Sequence, residues 1–381
     1  MSLTDDLGVL FTLQKFITIP NYNLPYEWSS VSRNLTIILR SLPFFLVNFL
    51  TIYQYFIHNG SHNVGFSGVS DVALIVSEFD FILMKATTII FAILAIIHNN
   101  SHIKLLNLIN NYERKFSELI MKRRVYVKLW NNFKFALFAT NMIFLNVILQ
   151  FMGEEFYRTD STVWYFFYSL CILIVDVISI YMSSLSRLLG DVLATATENI
   201  KIRRISVNRK TVLFTWESLK LLSAFNASCS FMLFVALSVE FVCCCISSFF
   251  FIWLMSIQEN FDYKYVFVVG CLTWAMRSLI FIMHITFACD HFSSALFHFQ
   301  LALSATLHRD QETNLSDFEI HQFQLKILHE YQQGLNVSAM GFFRINNSVM
   351  FAIFAAVVSH IAILMQFKQM EELKWILKYN G

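Results

Sequence analysis

The chain has 381 residues, 56% of them hydrophobic and 14% charged, with 41 phenylalanines. Ordinary globular chains are about 45–50% apolar and about 25% charged, so this composition argues against soluble domains and against disorder and points to a polytopic membrane protein. The net charge of +2 is small and scattered, which excludes a nucleic-acid partner.

The N-terminal segment 1–34 opens with Asp5 and Asp6 and has neither a basic leader nor a small-residue cleavage site, so no cleaved signal peptide is expected. A helix needs about 20 largely apolar residues to cross the hydrocarbon core. Seven stretches offer them: 35–57, 72–97, 131–152, 163–185, 225–255, 263–288 and 341–367. The seven cysteines fall in or beside these stretches without a CxxC pair, so neither a zinc site nor an extracellular disulfide framework is expected.

Lysine and arginine orient the spans, because cytoplasmic loops carry an excess of both. The segment 98–130 holds Lys104, Arg114, Lys115, Lys122, Arg123, Arg124 and Lys128, and 186–224 holds Arg187, Lys201, Arg203, Arg204, Arg209, Lys210 and Lys220. Lys15, Arg33, Arg309 and Lys326 fall on the same side. The other side has Arg158, Lys264, Lys368, Lys374 and Lys378. The N-terminus is therefore expected in the cytoplasm and the C-terminus outside, the reverse of a G-protein-coupled receptor.

Two cytoplasmic segments read as helices. Leu185, Leu189, Val192, Ala196 and Ile200 recur at steps of three and four after the fourth span, and Phe292, Leu296, Phe299 and Leu303 do so after the sixth. Val212, Trp216 and Leu219 lead into the fifth span, and Phe318, Leu325, Leu328, Tyr331 and Leu335 into the seventh. Such stripes need a partner, either in a packed intracellular bundle or on the anionic inner leaflet. The expected fold is all-α: a cytoplasmic segment 1–34, six spans over 35–288 with cytoplasmic extensions at 186–224, anchor helices at 289–340, a final span 341–367 and an extracellular tail 368–381.

Ionisable residues within spans are costly in lipid and mark functional hypotheses. Glu78, Asp80 and Lys85 lie in the second span, Asp176 in the fourth, Glu240 in the fifth and Arg277 in the sixth. Two arrangements accommodate them: mutual neutralisation that locks the helices together, or a polar pocket open to the outside. Phe81, Asn146, Gln150, Trp164, Tyr165, Tyr168, Thr273 and Trp274 share the outer halves of these spans. Aromatic walls with a few amides and acids suit a small organic ligand, although Trp and Tyr near span ends also form the interfacial belt. His98 and His102 have the spacing of metal ligands but no second histidine pair to complete a centre. No metal, cofactor or catalytic constellation is expected.

In the last span Ser348, Ala352, Ala355, Ser359, Ala362 and Gln366 follow at alternating steps of four and three, a small and polar stripe. Such a face serves close helix packing or lines a narrow pore. Ala339-Met340-Gly341-Phe342-Phe343-Arg344-Ile345-Asn346, followed by Ser359-His360-Ile361-Ala362-Ile363-Leu364-Met365-Gln366-Phe367, resembles the C-terminus of insect gustatory receptors. That family has a Gly-Phe-Phe-like entry and a signature of Thr-Tyr, five hydrophobics, Gln and Phe. The hydrophobics, Gln366 and Phe367 match in register, while Ser359-His360 replaces Thr-Tyr.

The resemblance implies a ligand-gated, non-selective cation channel in the cell membrane of sensory neurons, built as a homotetramer or as a heteromer with related receptors. Its partners would be a small-molecule tastant, permeating cations and membrane lipid. Ile363 and Gln366 would form the pore constriction with Phe367 just outside it, and Ser359 and Ala362 would line the same helix face. The ligand would enter a pocket holding Glu78, Phe81, Lys85, Asn146, Gln150, Trp164, Tyr168, Asp176, Trp274 and Arg277. Bitter or plant-derived compounds are favoured over sugars because the signature is divergent. The alternatives are an insect odorant receptor, with the same architecture, and a secondary transporter, for which no internal repeat is visible.

Overall fold

The computed structural model describes Leu7, ten helical residues between Leu35 and Tyr53, Leu325, and the stretches 71–120, 162–203, 209–256, 264–309 and 336–380. They form α1 (Asp71–Ile120), α2 (Thr162–Arg203), α3 (Arg209–Ser256), α4 (Lys264–Arg309), β1 (Ser338–Ala339), β2 (Phe343–Arg344) and α5 (Asn347–Asn380). The three prolines, Pro20, Pro25 and Pro43, all lie outside these helices, so none loses a backbone donor to proline. Among the described residues, five helices are long and apolar enough to cross a membrane. Of the other two expected spans, 35–57 is described at ten residues, all helical, and 131–152 lies outside the described residues.

The helices outrun the membrane. At 1.5 Å per residue, the 50-residue α1 and the 46-residue α4 reach about 70 Å, against about 30 Å of hydrocarbon. In α1, α2, α3 and α4 the apolar stretch runs on as helix well beyond the membrane's thickness. The segment 98–130, expected as a connecting loop, is helical as far as Ile120, with a single non-helical residue at Phe116. The reason is a second apolar stripe, Leu105, Leu106, Ile109, Tyr112 and Phe116, all buried.

Four helices close into a ring in which α1 packs on α2, α2 on α4, α4 on α3 and α3 on α1, while α5 lies outside against α3 and α4. The stripes expected at 185–200 and 292–303 are buried together in one core. At the centre of its lower part, the Phe214 ring has Tyr112, Phe116 and Phe299 at centroid distances of 4.8, 4.9 and 4.8 Å. Ring pairs at this spacing add to the area they bury. The Tyr112 hydroxyl is satisfied by Ser218 Oγ at 2.7 Å.

The final stretch differs from expectation. The helix begins at Asn347 rather than at 341, because residues 338–344 turn back as an antiparallel hairpin with Ser338 opposite Arg344 and Ala339 opposite Phe343. Met340 and Gly341 both have positive φ, 52° and 77°, and Phe342 N–H donates to Ala339 C=O at 2.9 Å. Two left-handed central residues close the tight turn from Ala339 to Phe342, and Phe342 completes a three-residue loop before the strands pair at Ala339 and Phe343. Asn346 then caps α5, its Oδ1 accepting from Val349 N–H at 3.3 Å. At the other end, α5 runs to Asn380, so most of the expected tail 368–381 is helix. Among the described residues the hairpin is the exception to the all-α expectation.

Gly190 sets the α2–α4 distance: a Cβ there would lie 2.5 Å from His291 Cδ2 and 3.1 Å from the Phe292 Cα. Gly190→Leu should destabilise by about 1–3 kcal/mol through overpacking. The check is thermal unfolding in detergent, where an unchanged midpoint would mean the two helices separate without cost.

Candidate functional site

The ionisable residues of α2, α3 and α4 meet at one level, each about 20 Å along its helix from the end expected outside. Arg277 lies between two carboxylates. Its Nε donates to Asp176 Oδ2 at 3.2 Å and its Nη2 to Asp176 Oδ1, while Nη1 and Nη2 donate to Glu240 Oε2 and Oε1, both at 3.2 Å. Both faces of the guanidinium fork are thus used in paired, charge-assisted bonds. Asp176 and Glu240 are fully buried and Arg277 is 3% exposed. Trp274 and Phe281 cover the cation at 5.3 and 4.9 Å from their ring centroids. Met84 and Val177 join these rings in an apolar wall.

A second polar centre joins α1 to α2 and to the first expected span. Thr88 Oγ1 donates to Lys85 C=O at 2.8 Å and to Asn48 Oδ1 at 3.4 Å, and the Cys171 thiol donates to the same Asn48 oxygen at 3.2 Å. Lys85, Thr88 and Asn48 are all buried. Deeper along α1, His102 Nε2 lies 2.8 Å from the Tyr181 hydroxyl. One turn earlier Asn99 is 1% exposed, and neither polar atom of its amide has a partner among the described residues. Among the described residues no three His, Cys, Asp or Glu side chains gather as a metal site.

α5 has two faces. Met350, Val357 and Lys368 are buried, with Ile353, Ile361 and Leu364 packed partly against α3 and α4. Ser348, Ala352, Ala355, Ser359, Ala362 and Gln366 are all exposed, and so are Ile363 and Phe367. Ser359 Oγ bonds back to Ala355 C=O at 2.9 Å, and His360 Nδ1 donates to Ala356 C=O at 2.8 Å. Phe241 of α3 meets the His360 ring edge-on at 5.4 Å.

Of the residues expected to hold a ligand, the structure brings Asp176, Trp274 and Arg277 together, with Lys85 buried on α1. Glu78 and Phe81 fall on α1, and Trp164 and Tyr168 on α2, where only the backbone is described; Asn146 and Gln150 lie outside the described residues. Mutual neutralisation of Arg277 by an acidic neighbour is one of the two arrangements the charge pattern offers, and the structure supplies two such neighbours, Asp176 and Glu240. Asn48, Thr88, Cys171 and Tyr181 carried no signal, being uncharged residues in apolar runs. Arg277→Met leaves two buried carboxylates facing each other and should cost about 3–5 kcal/mol. Glu240→Gln leaves one cation with one anion and should be much milder. Equal losses in the two variants, by thermal unfolding or surface expression, would rule out charge balance as the stabilising factor.

The comparisons agree with this architecture. A family model described as 7tm Chemosensory receptor matches residues 8–371. Gustatory receptor 68a of Drosophila melanogaster is 34% identical over 107 residues, 28% of this chain and 25% of that relative, so the matched stretch spans about a quarter of its length. Two solved structures of the insect olfactory receptor OR5 from Machilis hrabei share the fold. One superposes with a TM-score of 0.58 at 14% identity, and the other, in complex with eugenol, with 0.62 at 13%. Each alignment covers 95% of this chain and 100% of the other. With nearly its whole length matched by the family model, the chain belongs to the insect 7tm chemosensory receptor family of gustatory and olfactory receptors.

Proposed function

We propose that the protein is a gustatory receptor of this family, acting as a ligand-gated, non-selective cation channel that detects small tastants. The observation that carries this reading is the two-faced α5. Between Asn347 and Phe367 its core-facing residues are apolar, whereas its small and polar stripe, from Ser348 to Gln366, is exposed. Serine, alanine and glutamine gain nothing from contact with lipid tails, and such a face suits a water-filled axis shared by several copies. Four α5 helices around that axis would place Gln366 and Ile363 at the constriction, Phe367 beside it, and Ser359 and Ala362 along the wall. The N-terminus would be cytoplasmic, and the core around Phe214 would form the intracellular anchor.

The ligand site belongs above the Arg277 ion cluster, toward the outer ends of α1, α2 and α4. Glu78, Phe81, Trp164, Tyr168 and Trp274 would line it with Asn146 and Gln150, and Lys85, Asp176 and Arg277 would form its floor. The eugenol complex of OR5 supports a small organic ligand in a protein of this fold. A bitter or plant-derived compound is favoured over a sugar because Ser359-His360 departs from the family signature. A ligand opens the channel only as far as it binds the open state better than the closed one.

The family's olfactory branch is the second reading, since the solved neighbours are olfactory receptors. Whole-cell recording of the chain expressed alone, challenged with sucrose, quinine and eugenol, tests the proposal. Ligand-evoked current reversing near zero millivolts is expected. Gln366→Ala should change relative cation permeability severalfold and leave the half-maximal ligand concentration nearly unchanged; the opposite pattern would remove Gln366 from the constriction.

A further inference from the structure

The hairpin at the foot of α5 is gripped from two helices at once. On the α3 side the Asn226 amide acts as an extra peptide group. Its Oδ1 accepts from Ser338 N–H at 3.2 Å and its Nδ2 donates to Asn336 C=O at 3.1 Å. On the α4 side Ser293 Oγ accepts from Val337 N–H at 3.0 Å, and Asp290 Oδ2 accepts from Asn347 Nδ2 at 3.0 Å. Two consecutive backbone amides, at 337 and 338, are therefore held by side chains of different helices. Val337, Ala339 and Ile345 are buried in the main core, and Ile345 N–H closes the hairpin on Val337 C=O at 2.9 Å.

The turn also stores strain. Met340 has a φ of 52° without being glycine, a conformation that costs about 1–2 kcal/mol and persists where the surroundings over-determine it. Beyond Asn347 the polar stripe of α5 has no such grip. The inner end of the helix is held by specific polar bonds to both α3 and α4, and Met350, Ile353, Val357, Ile361 and Leu364 pack along one face beyond it.

We infer that Asn226, with Ser293 and Asp290, forms a two-point clamp of positioning residues that locks the inner end of α5 and delivers any shift of α3 against α4 to that helix. The amides of 337 and 338 are adjacent, so sliding one anchoring helix past the other must rotate the peptide between them or break a bond. Rotation there turns the foot of α5. Its consequence for current rests on the channel reading, whereas the clamp itself does not.

Hydrogen exchange on the full chain in lipid nanodiscs tests the clamp without any ligand. Asn226→Ala should speed exchange about tenfold or more at Ser338 and in the first turn of α5, because it removes two partly buried hydrogen bonds. Amides of α2 between 185 and 196 should not change. Asn226→Asp, which keeps the acceptor and loses the donor, should fall between. Hairpin exchange equal to that of the unsubstituted chain would overturn the inference.

Recording supplies the second arm, with eugenol, quinine and sucrose as probes. Maximal current per surface channel should fall severalfold in Asn226→Ala, with the half-maximal concentration changed by less. Current that falls only in proportion to surface expression would overturn the coupling role. If the unsubstituted chain reaches the surface and passes no current, the channel reading fails and the coupling with it, while the exchange result still decides the clamp.

Discussion

Inside hydrocarbon a backbone must satisfy its own hydrogen bonds, so every segment that crosses must do so as helix. That constraint fixes the elements of this protein but leaves their arrangement open, because lipid tails are as apolar as the side chains they surround. Arrangement is set by the few polar groups that lipid cannot satisfy. Arg277 gathers α2, α3 and α4 through Asp176 and Glu240. Asn48 ties the first expected span to α1 and α2. At the other end of the same helices apolar burial takes over, as around Phe214.

The same division explains α5. On the channel reading proposed above, α5 moves, and such a helix is served by a face held through apolar packing and an end held by directional bonds. Its apolar face rests on α3 and α4 through side chains such as Val357 and Leu364, which tolerate sliding. Its foot is held by directional hydrogen bonds that do not. Packing that is cheap to rearrange and bonding that is not thus share one element, the first along its face and the second at its foot.

Much of this was legible in the residues. The repeats at 185–200 and 292–303 have the period of a helix with one buried face, and each of those residues is buried. The charge pattern marked Asp176, Glu240 and Arg277 because ionised groups in an apolar run stand out. The helical course of 98–120 was hidden by its lysines and arginines, which occupy the solvent side of a helix whose other side carries Leu105 to Phe116. The hairpin was hidden by its own content. Met340, Phe342 and Phe343 continue the apolar character of the span, and the one warning, Gly341, reads equally well as a packing glycine. Asn48 and Asn226 were illegible because an asparagine reveals its importance only through what it faces.

The ion cluster also sets a constraint on how the chain is made. Asp176 precedes Arg277 by 101 residues, and at 5–20 residues per second the anion is synthesised about 5–20 s before its cation. Glu240 enters in between. For that interval α2 and α3 carry acidic groups that lipid cannot host. They must stay in the lateral shelter of the insertion machinery or remain near the water interface until α4 follows. This fully buried ion cluster therefore closes only once α4 is in place, after both helices that carry its anions.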